Sequence, residues 1–241
     1  MKEKRAELSK QQEEVLKLKK TLQKREKEVA KLKKELSLAR LKIREDIEQL
    51  RSAEKARREI LYEIKATLAK QSIIVEVVDN DTVLRIPETT LTFLSNSYDI
   101  PNKPNLQEAI KKIGLALHKA ILKPLNDHSS SIKRFKYLDT VFIEGHTDSR
   151  PTSRTKGNWG LSTFRAISLW EFWENSLDIK PSFGEMRNAF QQKLFSVSGY
   201  ASSRRLQLIE NTEEQRAMNR RIDIRFTIKR PTIKELKAVV E

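Results

Sequence analysis

The sequence predicts an α+β protein in which a long N-terminal coiled-coil helix precedes a βαβαβ-type domain with a mixed sheet and helices on one face. Apolar residues recur at every seventh position over the first 50 residues, which is the repeat of a coiled coil. From residue 72 short β-branched runs replace this repeat, and helical and strand-like patterns then alternate. We therefore place a rod at residues 1–70, a compact domain at 71–230 and a tail at 231–241.

The rod prediction depends on an uninterrupted heptad pattern. Neither proline nor glycine occurs before Pro87, so nothing breaks a helix that would be about 100 Å long at 1.5 Å per residue. So narrow an apolar stripe cannot be buried by one helix, which favours a parallel homodimer. A chain of residues 71–241 is then expected to be monomeric or weakly dimeric. The a positions hold Leu8, Val15, Leu22, Val29, Leu36, Ile43 and Leu50, and the d positions include Leu18, Leu32, Ala39, Ala53 and Ile60. Charged residues interrupt the seam at Arg25, Asp46 and Arg57.

Each element of the domain follows from its own pattern. Two β-branched runs flank Asp79-Asn80-Asp81 and predict a hairpin. Residues 211–215 carry a capping-box spacing, which predicts the start of a short helix. Apolar periodicity predicts helices at 106–122 and 161–177 and strands at 137–143, 195–197 and 222–228. An extra helix is expected at 183–194.

Composition limits the classes of function. The 241-residue chain has a formal net charge of +15, and most of the excess lies in residues 1–70. Acidic residues are interspersed there and Tyr62 is the one aromatic, so a solvated helix face is favoured over a polyanion site. Nucleic acid is not expected as a partner. The chain has no cysteine, which excludes disulfides and thiolate metal sites.

Three short blocks carry the most specific information. They are residues 143–148 (Ile-Glu-Gly-His-Thr-Asp), 158–166 (Asn-Trp-Gly-Leu-Ser-Thr-Phe-Arg-Ala) and 219–224 (Asn-Arg-Arg-Ile-Asp-Ile). In identity and order they resemble the OmpA/MotB family of C-terminal peptidoglycan-binding domains. The Asn-Trp-x-Leu-Ser pattern is closest to the MotB branch of flagellar stators. The resemblance implies an OmpA-like fold over roughly residues 71–230.

The resemblance also implies a ligand, the diaminopimelate of the peptidoglycan stem peptide. Its zwitterionic end would place an ammonium on Asp148 and a carboxylate on Arg165, whose planar fork can make two bonds to a carboxylate. Leu161 shares a helix face with Arg165 and would wall the pocket, while Asn158 would cap the helix or donate to the ligand. From the last block we assign Arg221 in preference to Arg220. The implied site residues are Thr147, Asp148, Asn158, Leu161, Arg165 and Arg221.

Taken singly, these residues have structural explanations. An aspartate at a strand end commonly forms a turn, and an asparagine before a helix commonly caps it. Their joint occurrence favours a binding site. His146 and Asp148 could share a metal, but no further ligand lies near them in sequence, and the chain has neither a Gly-x-Ser-x-Gly elbow nor a glycine-rich phosphate loop. We expect no metal, no cofactor and no enzymatic activity.

Two functions remain open at this point. The leading hypothesis is a non-catalytic, MotB-like peptidoglycan anchor of a cell-envelope complex, flagellar-stator-like or phage-defence-stator-like, at the periplasmic face of the inner membrane. A membrane ion-channel subunit is its candidate partner. The alternative is a cytoplasmic or membrane-associated coiled-coil scaffold that uses the domain for protein or polyanion binding. This sequence contains no run of roughly 20 apolar residues and no signal-peptide region. The cellular location of the protein would therefore decide between the envelope anchor and the scaffold. The basic loop at 149–157 departs from the family pattern and bears on ligand selectivity.

Overall fold

The computed structural model describes residues 2–126 and 131–228, and the predicted tail at 231–241 lies outside them. Helix α1 spans Lys2–Ala69, as the heptad pattern predicted. Within the described ranges it is followed by five strands and three further α-helices. These are β1 Glu76–Val78, β2 Val83–Pro87, α2 Pro104–Leu122, β3 Leu138–His146, α3 Gly157–Ser176, β4 Phe195–Gly199, α4 Glu213–Asn219 and β5 Arg221–Ile228.

The strands form one mixed sheet in the order β1-β2-β5-β3-β4. β3 and β4 are parallel, and the other neighbouring pairs are antiparallel. The α+β fold with a mixed sheet is therefore confirmed. In the register, Arg221 at the start of β5 pairs with Pro87 at the end of β2 and with His146 at the end of β3. Residues that follow β2 and β3 and precede β5 consequently meet at one end of these three neighbouring strands.

The compact unit that contains the sheet begins at Leu50, earlier than the predicted boundary at residue 70. Its core includes Ile60, Leu61, Ile64 and Leu68 of α1, all fully buried. The helical spacing that we read as a coiled-coil seam thus continues as a core-facing stripe, because both patterns place apolar residues three and four apart.

Ion pairs fix the same part of α1 within this unit. The guanidinium of Arg134, which is 2% exposed, lies 3.1 Å from the Glu59 carboxylate and 2.7 Å from that of Glu63. Arg57, which the heptad assignment placed on the seam, donates from Nε to the Asp81 carbonyl at 2.8 Å. Residues 50–69 are therefore part of the folded domain.

The structure also tests the predicted capping box and the predicted extra helix at 183–194. The capping box is confirmed: Thr212 accepts from the Gln215 backbone, and the Gln215 side chain accepts from the Thr212 backbone. The extra helix at 183–194 is wrong, because the Asn188 side chain accepts from the backbone N–H groups of Phe190 and Gln192 and holds a turn there. In the part of the chain that the structure describes, no helix combines the length and the apolar composition of a membrane span.

Candidate functional site

A cleft of about 940 Å³ lies at the end of the inner strands, where β2 and β3 end and β5 begins. Five of the six predicted site residues line it, namely Thr147, Asp148, Asn158, Leu161 and Arg165. Arg221 does not line the cleft, whereas Arg220 does. The same surface also includes Glu88, which follows β2, Arg150 from the basic loop, and Glu213 and Glu214 at the start of α4.

Two glycines bring α3 close enough to the sheet to complete the cleft. A Cβ added to Gly145 of β3 would lie 2.0 Å from the Ser162 carbonyl oxygen, and one added to Gly199 of β4 would lie 2.2 Å from Thr163 Oγ1. Both distances are far below van der Waals contact, so only glycine permits this packing. The close approach places the first turns of α3, with Leu161 and Arg165, beside the loop that carries Asp148.

Asp148 is the acidic centre of the cleft. Its Oδ2 accepts from Arg150 Nη2 at 2.6 Å and Nε at 3.0 Å, and from Arg220 Nη1 at 2.6 Å. Its Oδ1 accepts from the Arg150 backbone N–H at 3.1 Å. Burial pushes the pKa of Asp148 upward, but the bonds from Arg150 and Arg220 outweigh it and hold the pKa below its usual value. The group is a carboxylate at neutral pH.

Arg220 ties three elements together at the cleft wall. It makes two bonds to Glu88 after β2, at 2.6 and 2.5 Å, and one to Asp148 after β3. Its Nη2 also donates to Glu213 of α4 at 2.5 Å. Burial lowers the pKa of Arg220, yet these carboxylates raise it above the ordinary value. Arg220 therefore orients Asp148 through a charge network whose other members are fixed to separate elements.

Arg165 is the buried cation of the cleft, 5% exposed. It donates from Nε to the Ser97 carbonyl at 2.9 Å and from Nη2 to the Leu94 carbonyl at 3.2 Å. Its guanidinium lies 4.9 Å from the centre of the Phe93 ring. Among the described residues it forms no ion pair, and a guanidinium carries more N–H donors than these bonds use. Burial lowers the pKa of Arg165 to about 10, with the nearby Glu88 opposing that shift, so the side chain is charged at neutral pH.

The remaining predicted residues have distinct places. Leu161 is 5% exposed and, one helical turn before Arg165, forms part of the wall. Thr147 Oγ1 is buried without a hydrogen-bond partner among the described residues. Asn158 does not cap α3, since the helix begins after Lys156 in a left-handed conformation. Its Nδ2 donates instead to the Arg150 carbonyl at 2.9 Å and the Asp148 carbonyl at 3.3 Å, which holds the loop between them.

Arg221 lies beneath the cleft in a buried ion network, so the structure places Arg220, and not Arg221, on the cleft wall. Its Nε donates to Asp223 Oδ2 at 3.1 Å, and Nη2 donates to the Arg204 carbonyl at 3.0 Å. Asp223 is also gripped by Arg85 through two bonds. The partner at i+2 was visible in the sequence, because residues two apart in a strand share a face.

The same network contains three residues of the types that ligate metal ions, Glu144, His146 and Asp223, whose ligand atoms lie close together. Its carboxylates already have cationic partners: Arg225 binds Glu144, while Arg85 and Arg221 bind Asp223. Burial, followed by the charge of Arg221, lowers the pKa of His146 to about 3. The imidazole is therefore neutral, and it stacks on Tyr200 with ring centres 5.4 Å apart. This arrangement fits a structural ion network.

The sequence reasoning missed three residues that form the ion pairs of the cleft, namely Glu88, Arg150 and Glu213. Glu88 could have been found, because it directly follows a strand that the hairpin pattern predicts. Arg150 belongs to the loop whose basic character we noted, but nothing in the pattern indicated that it pairs with Asp148. Glu213 belongs to the predicted capping box, and its contact with Arg220 depends on how α4 packs.

Several solved structures are similar to this chain. A protein described as MotB-like from Desulfovibrio vulgaris is 17% identical, with 74% of this chain and 95% of that chain covered and a TM-score of 0.52. The cell wall anchor of the T6SS from Pseudomonas aeruginosa is 23% identical, with 71% and 99% covered and a TM-score of 0.47. The periplasmic domain of Helicobacter pylori MotB is 18% identical, with 69% and 88% covered and a TM-score of 0.45. At these identities the similarity concerns the fold alone.

No curated protein sequence matches the chain. The OmpA family, by contrast, matches residues 92–220, a range that contains α2, β3, α3, β4, α4 and nearly all of the cleft residues. Since this match covers more than half of the sequence, the protein belongs to the OmpA family.

Proposed function

We propose that the domain is a non-catalytic anchor that binds the diaminopimelate of the peptidoglycan stem peptide. The observation that carries the proposal is Arg165, a buried cation on the cleft wall whose hydrogen bonds go to carbonyl groups and not to a carboxylate. Burying a guanidinium costs free energy unless an anion compensates it. A ligand carboxylate supplies that anion, and the free edge of the guanidinium can grip it.

Asp148 provides the complementary charge on the same cleft. A carboxylate and a guanidinium that line one cavity match a ligand bearing an ammonium and a carboxylate on one carbon. The free end of diaminopimelate has this chemistry, whereas a lysine in the same stem position offers only an ammonium. The proposed contacts are Asp148 to the ammonium and Arg165 to the carboxylate, with Arg220 orienting Asp148, and Thr147, Asn158 and Leu161 shaping the pocket.

The cleft chemistry favours binding over catalysis. Thr147 is the hydroxyl next to Asp148, but no base activates it among the described residues. His146 lies in the ion network beneath, and burial holds its pKa near 3, too low for a general base at neutral pH. We assign the protein to the cell envelope, with its domain in the periplasm and a membrane ion-channel subunit as the partner of a stator-like complex.

Binding to purified sacculi tests the proposal. The full chain should sediment with sacculi whose stem peptides contain diaminopimelate, and much less with sacculi that carry lysine at that position, because the second lack the carboxylate for Arg165. Free meso-diaminopimelate should compete. Equal recovery with both wall types, or recovery with neither, would contradict the proposal; in the second case the scaffold alternative takes its place.

We further propose that α1 forms a parallel homodimer through residues 1–49. The large apolar side chains of the heptad seam in this segment are 43–63% exposed in the single chain, and they include Leu18, Leu22, Val29, Leu32, Leu36 and Ile43. Pairing two such helices would bury this stripe. The other exposed apolar side chains described in this segment, Leu16, Leu38, Leu41 and Ile47, lie outside the seam and do not share its seven-residue repeat.

The dimer proposal predicts a concentration-dependent assembly. In analytical ultracentrifugation the full chain should be a dimer at tens of micromolar, and residues 50–241 should be a monomer. The variant Leu22→Lys with Val29→Lys should also be monomeric, because two charges on consecutive a positions cannot be buried together. Lys24→Glu with Lys31→Glu, which leaves the seam unchanged, is the control. A full chain that stays monomeric would refute the coiled coil.

A further inference from the structure

Donors of the protein already crowd Oδ2 of the Asp148 carboxylate. The carboxylate accepts three bonds on Oδ2 and one on Oδ1, from two guanidiniums and a backbone N–H. A carboxylate offers about two lone-pair positions on each oxygen, so three donors already exceed the capacity of Oδ2. An ammonium that binds at Oδ2 therefore has to displace one of its present donors.

The two guanidiniums differ in how easily they can leave. Arg220 has a side chain that is 13% exposed and is held at the same time by Glu88 and Glu213. The Arg150 side chain is 53% exposed, and its only other partner among the described residues is the exposed Glu213, at 3.4–3.5 Å. Moving Arg150 into solvent breaks one close ion pair, whereas moving Arg220 breaks three. Arg150 is the displaceable donor.

We propose that the Arg150 side chain occupies the position of the ligand ammonium and competes with it for Asp148. This inference rests on the proposed function and adds a residue that sets affinity and selectivity at the same site. When the ligand binds, the guanidinium of Arg150 rotates away from Asp148, and its backbone N–H keeps the bond to Oδ1. Glu213 then offers the released guanidinium a partner.

Because Arg150 competes with the ligand ammonium for Asp148, tight binding requires both charges of the ligand. A ligand that carries only an ammonium exchanges one ion pair at Asp148 for another and gains little. A ligand that carries a carboxylate as well gains the contact with Arg165, which has no ion-pair partner to lose among the described residues. Arg150 therefore lowers the affinity of the cleft for every amine, and only a ligand end that also carries a carboxylate binds tightly.

A double-mutant cycle with Asp148 tests this inference. The full chain, Arg150→Ala, Asp148→Asn and the double variant are titrated with diaminopimelate-containing sacculi. Arg150→Ala should bind about 3- to 10-fold more tightly, the range expected when a half-exposed ion pair no longer competes. In the Asp148→Asn background the same substitution should change affinity little, because no carboxylate is left to compete for. Arg150→Lys should fall between the wild type and Arg150→Ala, since it keeps the charge but loses the fork.

Arg154→Ala is the matched control, because it removes the same charge from the same loop without touching Asp148. Arg154 contacts the Asn96 carbonyl and lies over the Tyr98 ring. Its loss should leave affinity within about twofold of the wild type, apart from a general charge effect. Melting curves and circular dichroism of each variant confirm that the domain is folded.

The outcomes separate the two proposals. Binding that depends on Asp148 but is unchanged or weakened by Arg150→Ala would overturn the inference alone, and weakened binding would make Arg150 a contact of the ligand. Tighter binding that persists in the Asp148→Asn background would also overturn it, because the effect would then arise elsewhere. Failure of all four proteins to bind, or binding that ignores Asp148→Asn, would overturn the proposed function itself.

Discussion

A chain that begins at residue 71 is expected to be unfolded or aggregated. The truncation removes Ile60, Leu61, Ile64 and Leu68, which are fully buried in the domain core. Each such side chain contributes roughly 1.5–3 kcal/mol, so their sum is comparable to the whole stability of a typical domain, about 5–15 kcal/mol. Arg134 would also be left buried without Glu59 and Glu63. Circular dichroism and thermal melting measure the loss.

A chain that begins at residue 50 is the control, and it should melt cooperatively near the temperature of the full protein. The single change Leu61→Ala in the full chain should destabilise the domain by about 2–5 kcal/mol, as for other fully buried leucines. The matched change Leu22→Ala, in the exposed part of α1, should leave the domain's melting transition in place. A stable, cooperative domain from residues 71–241 would show that α1 is not part of the core.

The second large effect concerns the two charges of the cleft. Asp148→Asn and Arg165→Ala should each reduce binding to diaminopimelate-containing sacculi by roughly 30-fold or more, equivalent to about 2–4 kcal/mol for one half of a paired recognition. Arg165→Lys should recover only part of this loss, because an ammonium cannot grip a carboxylate with two bonds. Quantitative sedimentation of the protein with sacculi measures each change.

Burial makes a stability control necessary for these variants. Both side chains are 5% exposed, so their replacement also affects the packing of the domain. Arg165 also tethers the Leu94 and Ser97 carbonyls, and Arg165→Ala should lower the melting temperature, whereas Arg165→Lys should do so less. Asp178→Asn, the same chemical change at an exposed position outside the cleft, should bind like the wild type. Undiminished binding by folded Asp148→Asn and Arg165→Lys would remove the proposed contacts.

Several features could be predicted because they depend on short-range patterns. The capping box at Thr212 and Gln215 needs only a fixed spacing, and the strand before Asp148 needs only a run of apolar residues. The blocks around Asp148, Asn158 and Arg165 fix identities and order, and the fold brings these residues to one cleft. In each case a short stretch of sequence was enough for the prediction.

The boundary of the domain could not be predicted in the same way. Ala53 and Ile60 satisfy a heptad, but they face the core of the domain. A helix stripe has the same spacing whether its partner is a second copy or a sheet, so the sequence does not distinguish the two. Only the packing of α1 within the unit that begins at Leu50 decides it.

The choice between Arg220 and Arg221 depended on where β5 begins. Arg221 is the first residue of the strand and shares a face with Asp223, to which it binds. Arg220 precedes the strand and is the C-cap of α4, so its side chain is free to reach Glu88 and Asp148. A shift of one residue exchanges these roles, and element ends are fixed by tertiary contacts as much as by local pattern.

The most direct measurement is a crystal structure of the protein with a muropeptide that contains diaminopimelate. We predict the ligand ammonium within hydrogen-bond distance of Asp148, the adjacent carboxylate on the free edge of Arg165, and the Arg150 side chain turned away from Asp148. A muropeptide bound elsewhere on the domain, or bound in the cleft with no contact to Asp148 and Arg165, would contradict it.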